Sequence, residues 1–565
     1  MAGLCDRNYL NTLASDGAGV NIFLHIGVFI AGQPPPTHHH TAMDTRPQTV
    51  VIGAGFGGLA AAIRLAAAGH AVMVLEAAAA VGGKARAVPS VSGPVDTGPT
   101  VLTMRAVFDD LFALAGERLD DHITLIPQPI LARHWWPDGS TLDLTPDRAA
   151  NIAAISAFAG AREGQAFARF DAMAEKLRLA FDGPVMQSPR PDLRTMTRAA
   201  LRTPAIWPAL LPGMTLDRLL RLTFRDPRLR QLFGRYATYV GGRPAHVPAV
   251  LAIIWRAEAQ GVWAVQGGMH HLAQALAGLL ARLGGRVQLS TPVRRILKQG
   301  GRVTGVETET GRIVADHVVF NGDPAALTAG LLGNAVTDVV PARASTPHSL
   351  SAQVWAFAAT ASGPPMVHHN VFFTADPAQE FGPIGRGQAA IAPSLYICAE
   401  DRARGTPSGP DSGPERFEII INAPTGLPAT PEENTQCQIR TFQTLARFGL
   451  TFSPEPDATS LTTPALLAQL YPASRGAIYG RSPEGMLATF HRPTAQTRLP
   501  GLVLAGGGCH PGAGVPMAAL SGSHAAAAIL NAPISVSRSA PTATPGGTST
   551  ASATTAPAPS ASSVL

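Results

Sequence analysis

Apolar and polar positions along this chain keep switching between two rhythms. The short apolar run 49–52 reads as a buried strand, the alanine-rich stretch 58–68 carries a helical repeat, and 71–75 is a second apolar run. That order predicts a βαβ unit with parallel strands. The alternation returns at Gly267 and Gly268, where a helix is predicted from about 270 to 283, followed by the strand-like run 286–290. The segments 301–308, 311–315 and 317–320, separated by glycine-containing turns, read as the strands of a meander. From about 148 to 256 the pattern is more helical, and from about 329 to 484 strands mix with proline-rich loops. A last apolar strand at 502–505 leads into a helix running through Ile529. The whole predicts an α/β architecture of two sequence-discontinuous, interleaved domains.

Length supports more than one domain, because 565 residues exceed what a single core usually holds. Charged residues make up only 15%, and 57 glycines with 49 prolines imply many turns, which excludes a coiled coil and a long acidic disordered chain. The four cysteines show no metal-binding spacing, so no metal, a reducing compartment and a thiol-free mechanism are expected. Net charge is +6, yet the stretch 190–235 alone holds ten arginines against Asp192, Asp217 and Asp226. Leu193, Ala200, Leu201, Ile206, Trp207, Leu210, Leu211, Leu219, Leu220 and Leu222 are interleaved with those arginines, the composition of helices that lie on a lipid surface. The same charge lacks the aromatic stacking platform that nucleic-acid binding would need, so no nucleic-acid partner is expected. No apolar run is long enough to span a bilayer, and the run 20–31 is too short and lacks the flanking basic residues of a cleaved signal. Residues 1–46 match no periodic template and are expected to be a disordered or over-extended N-terminal segment, with His38, His39 and His40 incidental. The tail 533–565, almost wholly Ser, Thr, Ala, Pro and Gly, is expected to be disordered.

The sharpest chemical signal is Gly53-x-Gly55-x-x-Gly58 at the first strand-to-helix junction, followed by Glu76 at the end of the second strand. Gly53 permits a tight turn, Gly55 lets backbone approach a pyrophosphate, and Gly58 lets the helix pack on the strand. Glu76 is placed to accept hydrogen bonds from an adenosine ribose and disfavours a 2′-phosphate. A second pair, Gly82-Gly83, precedes Lys84 and Arg86, and a distant cluster from Gly506-Gly507 to Val515-Pro516-Met517 opens the last helix. Three separated contacts suit an extended flavin dinucleotide better than a nicotinamide cofactor, and the last helix start would stabilise negative charge on a reduced flavin. FAD is the expected cofactor.

Three segments make this finer. VVIGAGFGGLAAAIRLAAAGHAVMVLEAAAAVGGKAR, VQGGMHHLAQALAGLLARLGGRVQLSTPVRRI and GLVLAGGGCHPGAGVPMAALSG resemble the FAD-dependent carotenoid desaturases of the phytoene desaturase family. DTGPTVLTMRAVFDDLFALAG, ITLIPQPILARHWWPDGSTLDL, FRDPRLRQLFGRYATYVGG and YGRSPEGMLATFHRP are most similar to its hydroxycarotenoid 3,4-desaturase (methoxyneurosporene dehydrogenase) branch in photosynthetic bacteria. The resemblance implies a Rossmann-like, GR2-type FAD-binding domain in three parts (47–147, 259–328 and 485–532). It also implies a helical substrate and membrane-associating region (148–258) and a mixed α+β substrate-binding domain (329–484). It implies FAD contacts at Gly53, Gly55, Gly58, Glu76, Gly83, Lys84, Val293, Gly507, Val515, Pro516 and Met517. Ala77–Ala80 replace the family's usual charged residues, and Lys84 stands where arginine is common.

The implied activity is introduction of a 3,4 double bond into acyclic 1-hydroxy or 1-methoxy carotenoids, on the cytoplasmic side of the inner, photosynthetic membrane. Because the conjugated chain itself spreads the positive charge left by hydride loss, alignment and exclusion of water are the protein's tasks. No catalytic triad is expected. His510, Arg133 and His134 stand near the motifs, but structural hydrogen bonding is the expected role of each. Two other readings of the scaffold stay open: a different flavin oxidoreductase, either an earlier-acting polyene desaturase or an amine oxidase, and a non-catalytic isoprenoid carrier.

Overall fold

Five parallel strands make the sheet on which the glycine motif sits, in the order Leu502–Leu504, His317–Phe320, Gln48–Ile52, Ala71–Leu75, Arg286–Gln288. Successive side chains alternate between its two faces. Val51, Val72, Val74, Val319 and Val503 pack with the helices Phe56–Ala67, Met269–Arg282 and Val515–Leu530. Val50, Leu75, Val318, Leu502 and Leu504 pack instead on Ile296, Val303 and Val306 of a three-stranded meander. Coverage on both faces is why these runs are apolar throughout rather than alternating.

These coordinates are a computed structural model describing residues 46–404 and 413–531. The expected N-terminal extension, Arg46 apart, and the Ser/Thr/Ala/Pro tail lie outside the described residues. One sequence expectation is corrected. The meander is Val293–Gln299, Arg302–Thr308 and Gly311–Val314, and 317–320 is not its last strand. That tetrapeptide crosses over and pairs in parallel with Gln48–Ile52, residue by residue from Thr49↔His317 to Ile52↔Phe320. Four apolar residues after a glycine turn do not say which sheet they will join.

A second, larger sheet is mostly antiparallel, with Ser351–Ser362 paired to Glu415–Ala423 and onward through Leu395–Ala399 to His369–Phe372. His369–Phe372 then runs parallel to Ala132–Trp135, which hairpins with Thr141–Leu144. Two strands from the first third of the chain thus complete a sheet built from its second half. The segment 148–258 is helical, centred on Ala161–Phe181, with Phe167, Phe170, Phe224, Phe233 and Trp255 stacked in one core. Buried Asp171 accepts hydrogen bonds from Arg148, Arg256 and the Trp255 indole, so its charge is paired rather than stranded. Among the described residues no helix is long and apolar enough to cross a membrane.

Candidate functional site

The first glycine loop is built for close approach. Gly53 has φ +97°, a left-handed conformation that only glycine adopts cheaply, and its carbonyl accepts from the Asn321 amide. A Cβ on Gly58 would stand 2.1 Å from the Gly53 oxygen, so the helix can seat on the strand only without a side chain there. Gly55 differs. Its φ of −75° suits any residue, and a Cβ would meet nothing nearer than the Asn321 amide at 3.1 Å. The Asn321 amide and Gly83 Cα leave little room above Gly55, so a bare backbone there is what would let a pyrophosphate approach. Across it lies the second glycine pair, bridged by Gly82 N–H donating to the Ala54 carbonyl at 2.9 Å, with Gly83 Cα beside Gly55.

Glu76 closes one end of this cradle. Its Oε2 accepts from the Ala54 N–H at 2.6 Å and its Oε1 from the Ala78 N–H at 2.9 Å, leaving each oxygen a further lone pair for a ribose hydroxyl. Val293 opens the meander two residues beyond Thr291, whose N–H donates to the Glu76 carbonyl, so it is held beside the ribose acid. Gly507 stands at the other end, in the turn after the last strand, next to Gly506, whose N–H donates to Ser521 Oγ at 2.7 Å. Beyond it the helix Val515–Leu530 begins behind Gly514 at φ +110°, with no side chain capping its first N–H groups. Pro516 sits in the first turn, where a missing N–H costs nothing.

Two half-buried cations flank this run. Lys84 Nζ donates to the carbonyls of Ile478 at 2.7 Å and Ala477 at 3.3 Å, and burial pushes its pKa down to about 8. Arg492 donates to the carbonyls of Tyr479, Arg481 and Gly507, and burial lowers it to about 10. Arg492 was not foreseen from sequence. The fit to FAD rests on the bare backbone at Gly55, the acid at the ribose end and the uncapped helix start at the other. Gly53, Gly55, Gly58, Glu76, Gly83 and the Val515–Met517 turn would hold it, with Lys84 fixing the second glycine loop through the carbonyls it binds.

A cavity of about 1610 Å³ begins where this run ends. It exceeds the volume of an ordinary small-molecule pocket, roughly 300 to 1,000 Å³. Its walls include Gly514, Val515, Pro516 and Met517 at one end and Met196, Leu210 and Arg221 of the arginine-rich stretch elsewhere. Between them the lining is largely apolar, with Val185, Ile254, Val371 and Phe373.

The arginine-rich stretch divides its apolar residues. Ile206, Leu219 and Leu220 are buried in the helical core, contrary to a single lipid-facing stripe, because short helices here turn back on the domain. Leu193, Leu201, Trp207, Leu211 and Leu222 point outward, between 48% and 73% exposed, and the helix Leu193–Leu201 buries none of its residues.

The three polar residues singled out near the motifs all have structural partners. Arg133 forms a two-pronged bond to Asp143 at 2.7 Å, and His134 Nδ1 pairs with the Leu142 carbonyl while its ring lies against Phe373. His510 Nε2 meets the carbonyls of Val185 and Ser188, tying the last glycine cluster to the helical region, and burial lowers it to about 4. A polar group that sequence reading missed lies nearer the cavity. Glu418 is fully buried, takes the Gly98 N–H, and is held well above the usual carboxylate range by burial. Gly98 in turn abuts the Lys84 carbonyl, which puts this acid at the junction of cradle and cavity. The only sequence signal was a lone acid inside the apolar strand Phe417 to Ile421.

Residues 56–530 match the family of flavin containing amine oxidoreductases. The hydroxyneurosporene desaturase of Cereibacter sphaeroides is 64% identical over 485 residues, covering 86% of this chain and 97% of that protein. The enzyme of the same name from Rhodobacter capsulatus is 57% identical over 497 residues, covering 88% and 100%. Among solved structures, an oxidoreductase from Methanosarcina mazei matches with TM-score 0.52 at 16% identity, covering 84% of this chain and 99% of that one, which is a likeness of fold.

Proposed function

We propose, from a chain that belongs to the flavin containing amine oxidoreductases and to their carotenoid desaturase branch, that it desaturates acyclic 1-hydroxy or 1-methoxy carotenoids at the 3,4 position. The observation that carries this reading is the large, mostly apolar cavity whose wall includes both Met196 and Leu210 of the arginine-rich stretch and the helix start at Val515. A conjugated hydrocarbon fits such a space; a small polar amine would leave most of it empty. FAD, when bound, supplies the acceptor for the hydride that the carotenoid loses. The protein's own residues align the polyene through apolar contacts such as Val371 and Phe373, and they keep water from the charge that develops along it. Lys84, Arg492 and the uncapped N–H groups after Gly514 place positive potential at the inner end, where negative charge must be accommodated.

The substrate is nearly insoluble in water, so the enzyme draws it from a bilayer. The outward leucines, Trp207 and the neighbouring arginines support peripheral contact with an anionic lipid surface through residues 190–235. On this reading the enzyme sits peripherally on the cytoplasmic side of the inner, photosynthetic membrane, where such a substrate would be dissolved. The test adds purified, FAD-loaded protein to liposomes carrying a panel of acyclic carotenoids. A red shift in the absorption of hydroxylated or methoxylated polyenes, one double bond at a time, is expected. Unchanged spectra across the panel would overturn the reading.

A further inference from the structure

The large cavity has a neighbour. A second one of about 210 Å³ is lined by Asp96, Glu400, Arg416, His368 and Cys398, and Thr100 belongs to both walls. From Thr100 a chain of polar atoms leads away from the apolar space. Thr100 Oγ1 is 2.8 Å from Tyr396 Oη, which is 2.7 Å from His369 Nδ1. Tyr396 lines the large cavity, whereas His369 is buried behind it with the two rings stacked. The His369 ring centre is 4.3 Å from that of His368, which reaches the smaller cavity. The remaining His369 nitrogen, Nε2, is buried with no hydrogen-bond partner.

Such a group costs stability, so its presence calls for an explanation. The desaturation supplies one, because every double bond formed releases a proton into a space walled by apolar side chains. Burial keeps the Tyr396 phenol protonated and the His369 imidazole neutral, and in the tautomer with its proton on Nε2 the ring leaves Nδ1 to accept from the phenol. A weak base is enough here. Once the hydride has left, the neighbouring C–H of the polyenyl cation is strongly acidic.

We propose that Tyr396 and His369, with Thr100 orienting the phenol, form the exit for the proton that the carotenoid loses, leading it from the large cavity toward the acid-lined one. This rests on the desaturase reading above. The C–H bond breaks and its electron pair becomes the new π bond. The proton goes to Tyr396 Oη as the phenol's own proton passes to His369 Nδ1, while the hydride from the adjacent carbon goes to the flavin oxidant of the same reaction. The proton then rests on the His369 imidazolium, whose ring centre lies 4.3 Å from that of His368 at the wall of the acid-lined cavity.

The test uses FAD-loaded enzyme and a hydroxylated acyclic carotenoid in liposomes, comparing the parent with Tyr396→Phe, His369→Asn and Glu418→Gln. Tyr396→Phe is expected to lower kcat about 10²-fold, the lower end of general acid–base contributions. KM and the spectral shift on carotenoid binding stay at parent values, and the parent's solvent-deuterium isotope effect on kcat disappears. His369→Asn keeps an acceptor near Nδ1 but no basic nitrogen, and should behave alike. The two variants carry the test separately, so failure of one to hold flavin leaves the other decisive. Parent-like kcat and isotope effect in both overturn the proposal, as does loss of both in Glu418→Gln alone, which would make Glu418 the acceptor. A parent inert toward every carotenoid overturns the desaturase reading and the exit with it; failure of the exit alone leaves the parent active.

Discussion

Two glycines three positions apart do different work, and the difference can be measured. Gly58 cannot accept a side chain because the Gly53 carbonyl is in the way, whereas Gly55 has ordinary backbone angles and a Cβ there would press only on the Asn321 amide at 3.1 Å. Gly55→Val should therefore fold with a parent-like circular dichroism spectrum yet purify without yellow flavin, while Gly58→Val should lose the fold itself. Glu76→Ala should weaken FAD binding by about 1.5 to 3 kcal/mol, the scale of a hydrogen bond to a charged group; titration calorimetry of the apoprotein measures it. The acid-lined cavity makes a pH prediction. Burial raises Asp96 to about 6 and Glu400 to about 8, the latter helped by the neighbouring Asp96 charge. Folded-state values above the unfolded ones mean that the folded protein binds these protons more tightly. The stabilisation is complete below the unfolded carboxylate range and fades as pH climbs through about 6 and then about 8. Glu400→Gln should hence melt higher than the parent at pH 8.5 or so and show a flatter pH dependence, with melting scans across pH as the check.

At the scale of elements, the helix Leu193–Leu201 and the turn through Trp207 bury almost nothing of what they display outward. A helix of nine residues whose inward contact is mainly the half-buried Met196 has little reason to persist in water alone. Contact with lipid would supply the missing burial, with Arg194, Arg198 and Arg202 meeting headgroup phosphates. Replacing Leu193, Leu201 and Trp207 together by serine should abolish cosedimentation with anionic liposomes at low salt, and the thermal stability of the soluble protein should change little. Retained cosedimentation would move the lipid contact elsewhere. Helix packing near the cofactor is the opposite case: a Cβ on Gly522 would meet the Gly57 carbonyl at 2.2 Å, so the first and last helices touch through backbone.

For the molecule as a whole, the cradle is assembled from stretches more than four hundred residues apart, Gly53 to Gly507, and the helical region is pinned to the last glycine cluster through His510. The hairpin of Ala132–Trp135 and Thr141–Leu144 likewise binds the larger sheet to the chain's first third. Unfolding one half should remove the other. Calorimetry is expected to show a single transition that FAD shifts upward, by about 2.7 kcal/mol of stabilisation when free FAD is a hundred times its Kd. Two transitions, with FAD moving only one, would show that the halves unfold independently.

Much of the cradle was legible in the sequence because its requirements are local. A tight turn needs glycine at Gly53, a parallel strand covered on both faces needs an unbroken apolar run, and the acid must fall where the second strand ends. Those demands are met within a few residues of one another and leave a pattern. Partners across a sheet leave none: whether 317–320 joined the meander or the parallel sheet, and which leucines of the arginine-rich stretch faced outward, followed from packing by distant segments. The same holds for Thr100, Tyr396 and His369, which lie nearly three hundred residues apart at the extremes and become one hydrogen-bonded chain only when strands from both halves meet. Sequence determined what the backbone could hold; folding decided which side chains would be deprived of water together, and that deprivation is what gives them chemistry.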